Sequence, residues 1–345
     1  MKFSRRISGW KNSIPYVWRL DVDVRKIIKN HMLELILLGL VILLSFTAPG
    51  FFSRRNFFNI LQNSSLQGII ALGMTLVIIS GEIDLSVGSV VAFSGCVTAW
   101  FTEVFISMGL SVPPAVILAM LIAVGSSFLI GSFTAFVRNR YNVPTFIITL
   151  ALMTSLSGFA NLITGGFPLT PFPQWFNFFG GGYIFGVPFP ALLFIFIFVV
   201  INFITTSTTF GRSVYAIGGN MEAARLSGIN IHRVKWLVLA VTNSLMAVSG
   251  IMVSSRIMSG SSTAAKGWEL DVISAVIIGG TALNGGSGTV TGTLVGVLFL
   301  GVLVNGMTLL NISEYWQFVV RGILILGAVL INSIQAQRAA RPVTE

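Results

Sequence analysis

From Tyr141 to Gly211 the chain carries no Asp, Glu, Lys or Arg. A soluble domain averages about one charged residue in four, so a run of this length must be solvated by something other than water. A helix that crosses a bilayer needs about 20 mainly apolar residues, with 17–25 the usual range. The run is too long for one such helix, and GGFPLTPFPQWFNFFGGGYIFGVPFP (165–190) divides it into two. Further uncharged runs cover 35–53, 56–81, 85–102, 104–137, 236–255, 272–313 and 322–337. The run 272–313 is broken by NGGSGTVTG (284–292), because each glycine costs roughly 1 kcal/mol in a helix interior.

These runs predict spans at 32–48, 62–80, 86–106, 114–137, 145–163, 190–207, 236–255, 270–283, 291–310 and 316–332. The expected fold is an all-α integral membrane protein of about ten transmembrane helices, some of them broken, with both termini in the cytoplasm. In that orientation sixteen of the 21 basic residues face the cytoplasm, which agrees with the positive-inside rule; Arg54 and Arg55 run against it. A net charge of +10 would suggest nucleic acid, but the charges sit between apolar runs and serve membrane topology instead. A faint repeat relates IIALGMTLVIISGEIDLSVGS (69–89) to DVISAVIIGGTALNGGSGTVTG (271–292). Both pass from a Gly-containing apolar stretch into a Gly/Ser-rich break and then into another span, the pattern of transporters built from repeats.

Residues 1–30 hold eight basic residues among Trp10, Tyr16 and Trp18. This is too long for the basic region of a signal peptide and reads as a cytoplasmic segment lying near anionic lipid. The expected organisation is therefore this segment, a membrane domain at 31–335 with its longest cytoplasmic loop at 209–235, and a cytoplasmic tail at 336–345. One cysteine, Cys96, excludes an internal disulfide framework, and two ungrouped histidines with it argue against a metal site.

The loop contains a small helix that can be argued residue by residue. Asn220 is a good N-cap. Glu222 in the first turn and Arg225 near the last match the helix dipole. Gly228 suits the left-handed residue that ends a helix. Ala223, Ala224, Leu226 and Ser227 complete about two turns, far below the ~12–15 residues at which isolated helices become stable. Such a helix needs a surface to pack on, either this chain's own membrane domain or a partner's groove.

The loop GRSVYAIGGNMEAARLSGI resembles the cytoplasmic coupling loop of permeases from bacterial monosaccharide ABC importers, the ribose/galactoside/xylose group. GMTLVIISGEIDLSVGSVVAFSG (73–95) and GWELDVISAVIIGGTALNGGSGTVTGTLVG (267–296) are similar to segments of the same family, as are NFFNILQNSSLQ (56–67) and YWQFVVRGILIL (315–326). The resemblance runs from about residue 35 to 335. It implies a permease of the bacterial inner membrane that works as a dimer, with a second copy or a paralogue. It also implies a cytoplasmic ABC ATPase under the loop, with residues 220–228 transmitting its closure, and a sugar-binding protein on the outer face. The chain has no G-x-x-x-x-G-K-[ST] phosphate loop, so ATP and Mg are expected in the partner and no cofactor in this chain. The alternative is an ion-coupled secondary transporter of a small polar solute. An intramembrane enzyme lacks a grouped nucleophile and base.

The acids are the remaining question. Glu82 and Asp84, with Ser86, fall at the inner end of a span. Asp84 could cap a helix beginning at Leu85, the group could line or gate a pathway, or it could couple ions. Asn243, Asn305 and Asn311 are either glue between helices or a polar lining; Asn305 joins the pathway candidates. Glu269 and Asp271 are expected at the outer end of a span, near Arg256 and Lys266, where they are either part of an idle solvated loop or, by the resemblance, candidates for docking the binding protein. Trp175 reads as part of an interfacial aromatic belt, with sugar contact or docking of the binding protein as its other readings. Arg321, within the last span, must face protein or water rather than lipid.

Overall fold

The protein is described here from a computed structural model covering residues 31–340, with side chains as far as Leu330. The basic segment 1–30 and residues 341–345 lie outside the described residues. The chain is a helical bundle: α1 Met32–Thr47, α2 Arg54–Ile79, α3 Val87–Ser107, α4 Val112–Tyr141 and α5 Thr145–Thr164. A single 3-10 turn at Gln174–Asn177, the short helix α6 Phe178–Gly181 and a hairpin of β1 Tyr183–Ile184 and β2 Val187–Pro188 follow. The rest is α7 Phe189–Ser207, α8 Thr209–Gly219, α9 Met221–Leu226, α10 Ile231–Ile257, α11 Trp268–Ile278, α12 Val290–Leu309 and α13 Glu314–Ala340.

Local chemistry sets most boundaries. Ser53 Oγ accepts from the Asn56 amide to start α2, and Thr289 Oγ1 accepts from the Gly292 amide to start α12. Ser111 precedes the prolines that open α4, where a missing N–H is harmless. Asn142 in the left-handed conformation ends that helix, and Gly165 does the same for α5. Among the described residues seven helices are long and apolar enough to cross a membrane: α2, α3, α4, α5, α7, α10 and α12. The chain is thus a multi-pass membrane protein.

Helix α2 is the axis of the bundle. From Leu66 to Ile79 all its residues except Gln67 are buried, and α7, α10, α11 and α12 pack around it. Helix α10 in turn joins α2 to α3 and α4. Small residues permit the close crossings; a methyl on Gly250 would stand 3.1 Å from Ser94 Cβ on α3. The two ends of the bundle differ. At one, Glu82, the C-terminus of α4, the N-terminus of α10 and the helices α8 and α9 come together. The other carries Trp175 and the hairpin. They are called here the Glu82 end and the Trp175 end.

One expected span is corrected. At 270–283 the chain has an 11-residue helix, α11, about 16 Å long at 1.5 Å per residue, too short to cross a bilayer. The chain reaches it through a non-helical segment, 258–267, that turns back into the bundle. Gly260 lies against Ala99 and Gly95, and Ala265 against Gly88, seven residues further down α3. Gly260 is still at the Trp175 end, exchanging backbone hydrogen bonds with Leu169 at 2.8 and 3.0 Å. Helix α11 then runs beside the second half of α2 in the same direction, from Gln67 at Asp271 to Ile79 at Gly286. The two segments singled out as a repeat therefore lie side by side and parallel, each a helix followed by a break.

Candidate functional site

The first break, 80–86, separates α2 from α3. The Gly81 and Glu82 amides close the last turn of α2 onto Ile78 and Val77, with Gly81 at φ +78°. The chain then passes, without regular secondary structure, into the bundle. Asp84 is fully buried. Its Oδ1 accepts from the Ser86 amide at 2.8 Å and the Ser86 hydroxyl at 2.6 Å, and its Oδ2 accepts from Asn243 Nδ2 at 3.1 Å. The Leu85 amide donates to Thr149 Oγ1 at 3.0 Å. The helix begins at Val87 rather than Leu85, so Asp84 holds the turn before it instead of capping it. Ser86 stands at the cap position but makes no side-chain cap bond.

Glu82 gathers three helices. Its Oε1 accepts from Arg138 Nε on α4 at 2.7 Å and from Lys235 Nζ on α10, and its Oε2 accepts from the Thr145 hydroxyl at the start of α5. Glu82 is 6% exposed and Lys235 3%. Charges so placed are tolerated only when paired. Lys235 opens an apolar run and Arg138 closes another; the sequence shows both charges but not that they share one carboxylate.

The second break, 279–289, is held by backbone. The Gly286 amide donates to the Ile79 carbonyl at 2.8 Å, which ties this break to the end of α2. Gly286 has φ +75°, and a Cβ there would stand 2.7 Å from Gly219 Cα. A Cβ on Gly218 would collide with the Ile79 carbonyl and the Gly286 amide. Tyr215 on α8 donates its hydroxyl to the Gly288 carbonyl at 2.8 Å, and burial pushes its phenol above the usual range.

Helix α8 therefore touches the second break and the end of α2, and α9 meets the two cations that hold Glu82 of the first break. Asn220 Oδ1 accepts from the Ala223 amide at 3.0 Å, and Gly228 has φ +81°, so the short helix starts and stops where its sequence predicts. Glu222 and Arg225 pair at 3.1 Å on the exposed face, and Ala224 is buried. The first residue, Met221, places its sulfur 3.8 Å from Lys235 Nζ and 4.0 Å from Arg138 Nη2. Ser227 returns its hydroxyl to the Ala223 carbonyl. Leu226 is 82% exposed, a large apolar side chain presented outward from a two-turn helix.

The other candidates lie elsewhere. Asn305 pairs reciprocally with Asn56 at 2.8 and 2.9 Å, joining α2 to α12 toward the Trp175 end, far from Glu82 and Asp84. Trp175 is half-exposed at the Trp175 end, edge-on to Phe176 and Phe179. Asp271, expected at an outer edge, lies inside the bundle with its side chain 12% exposed. Arg321 Nη1 donates to both its oxygens at 2.7 Å, and Gln67 Nε2 donates at 3.1 Å. Glu269 is also within the bundle, against Gly88 in the first turn of α3, where the helix dipole favours a carboxylate. Both acids were misplaced for one reason: 258–267 reads as an external loop yet re-enters. No group of three His, Cys, Asp or Glu is assembled among the described residues.

Residues 56–329 match the family described as branched-chain amino acid transport system / permease component. The chain is 40% identical over 339 residues to the "Probable ABC transporter permease protein YphD" of Escherichia coli strain K12, covering 96% of this chain and 98% of the relative. It is 40% identical to the ribose import permease protein RbsC of the same strain (86% and 91% covered) and 35% identical to the L-arabinose ABC transporter permease protein AraH of Azospirillum brasilense (90% and 89%). No solved structure matches the chain.

Proposed function

Given that the chain belongs to this family of transport-system permease components, we propose that it forms the translocation pathway of an ATP-driven importer for a monosaccharide or a related small polar solute. As a transport subunit it is not an enzyme. Relatives carrying ribose and arabinose in their names support the sugar class. The pathway is made with a second permease, and a sugar-binding protein delivers solute to the Trp175 end. An ABC ATPase, which uses ATP and Mg in its own chain, docks at the Glu82 end.

Placing the Glu82 end in the cytoplasm is supported by its basic residues, Arg138, Arg140, Arg212, Arg225, Arg233 and Lys235. It is supported as well by the path of the chain. If helix α1, the composite passage 258–278 and α13 cross together with the seven long apolar helices, the crossings number ten and both ends of the described chain fall on one side.

The observation that carries the reading is the position of α9. It shows Leu226, Glu222 and Arg225 outward while its other side meets the Glu82–Lys235–Arg138 cluster, and α8 before it is wedged between the end of α2 and the second break. A push on α9 is thereby felt where α2 gives way to α3. The test is uptake of labelled monosaccharide into proteoliposomes holding the permease, its ATPase and its binding protein. We expect ATP-dependent uptake that Leu226→Asp abolishes while the permease stays folded. Uptake that follows an imposed proton or sodium gradient, with no ATPase present, would overturn the proposal in favour of secondary transport.

A further inference from the structure

Between α2, α11, α12 and α13 lies a cavity of about 270 Å³ whose deepest polar group is the Asp271–Arg321 pair. Gln67, at the same level, is 12 residues from the end of α2, about 18 Å at 1.5 Å per residue, and slightly farther from its start. The pair therefore sits near mid-depth. Charges at that depth are costly and, where found, mark solute or ion pathways. From this pair the lining continues toward the Trp175 end through Asn63 and Thr308.

We propose that this cavity is a transit site inside the permease for an uncharged polyhydroxyl solute of about one sugar ring. The inference rests on the importer reading above and adds where in the chain the solute is held. Size is the first reason. The volume is roughly nine times a water's share of the liquid and just under the ~300 Å³ at which pockets for drug-sized ligands begin. Charge is the second. Asp271 and Arg321 cancel at the floor, and Arg256, the third charged residue of the lining, donates to Asn63. The lining offers acceptors and donors to hydroxyl groups, and its one uncancelled charge repels a cation.

Gln67 is the third reason. It gives one amide hydrogen to Asp271, and its Oε1 meets no protein donor among the described residues, which leaves an acceptor for a solute hydroxyl. Trp268 also lines the cavity and supplies an apolar face for the C–H side of a ring. Weak, mixed contacts of this kind let a solute pause without being trapped.

The experiment is Gln67→Leu in the complete importer with its ATPase and binding protein. Asp271 keeps both bonds from Arg321 in this variant, so the fold is retained. We expect solute turnover to fall about tenfold, the loss of one hydrogen bond made to the solute in passage. ATPase stimulation by loaded binding protein stays at the wild-type level. A second reading uses Gln67→Cys in a Cys96→Ala chain, the native thiol being buried. A monosaccharide should slow its alkylation, and an amino sugar of the same size, which carries a positive charge, should slow it less. If wild type shows no ATP-dependent uptake, the importer reading itself fails. Three results overturn the transit site alone: unchanged turnover in Gln67→Leu, a parallel loss of ATPase stimulation, or protection only by the charged solute.

Discussion

The two breaks do the same job with opposite materials. Residues 80–86 are held by side chains: Glu82 on Lys235, Arg138 and Thr145, and Asp84 on Ser86 and Asn243. Residues 279–289 are held by backbone and by the lack of side chains, with Gly286 bonded to Ile79 and Gly218 pressed between them. Helix α8 lies against the second and the end of α2, and α9 against the cations that hold the first. A break built from charges can be retuned by changing a charge; a break built from glycine admits no substitution without moving the chain.

The sharpest way to separate them is Gly286→Val. Positive φ and the approach of Gly219 Cα exclude a branched side chain, and we expect loss of folded protein, read as yield of monodisperse permease in detergent. Wild-type yield would show that the second break is not close-packed. Next in size is Glu82→Gln, which leaves Lys235 and Arg138 without a counter-charge. Removing one partner of a buried pair costs about 3–5 kcal/mol, and thermal unfolding should show it. Adding Lys235→Met should restore part of the loss; no recovery would mean that Glu82 acts mainly through Thr145.

Smaller again is Asp84. Asp84→Ala removes the acceptor for Ser86 and Asn243 and should lower stability by about 1–3 kcal/mol, while Asp84→Asn keeps one acceptor and should cost less. Equal losses would mean that the charge, not the hydrogen bonding, holds the turn. The smallest effect on stability belongs to Glu222→Ala/Arg225→Ala. This pair is exposed on both sides, and such pairs contribute little. Its unfolding temperature should match wild type, while uptake per ATP hydrolysed falls; a matching fall in both would place the pair in the fold rather than in coupling.

How much of this was legible in the sequence follows from how local each cause is. Spans are read from the absence of charge, and eight of the ten expected ones overlap a helix of 19 residues or more, while 32–48 overlaps the 16-residue α1. The α9 helix is read from Asn220 and Gly228, whose roles lie within eight residues of each other. Asp271 was not readable in the same way. Its depth is fixed by how 258–267 folds back along α3, through small residues such as Gly260 and Ala265 that meet partners more than 150 residues away. The charge cluster is hidden for a similar reason: Glu82, Arg138 and Lys235 each look like the edge of an apolar run, and only the packing of α4 and α10 brings them to one carboxylate.

The reciprocal Asn56–Asn305 pair has a consequence for the environment the protein works in. Amide-to-amide bonds carry no net charge and no titrating group, so acid, alkali or brine changes them little. With the orientation proposed here, this joint of α2 and α12 lies toward the side exposed to whatever medium surrounds the cell. The Glu82 cluster, which depends on ionised groups, lies toward the cytoplasm, where the cell itself regulates pH and ions. Each joint is made of the chemistry that its own compartment disturbs least.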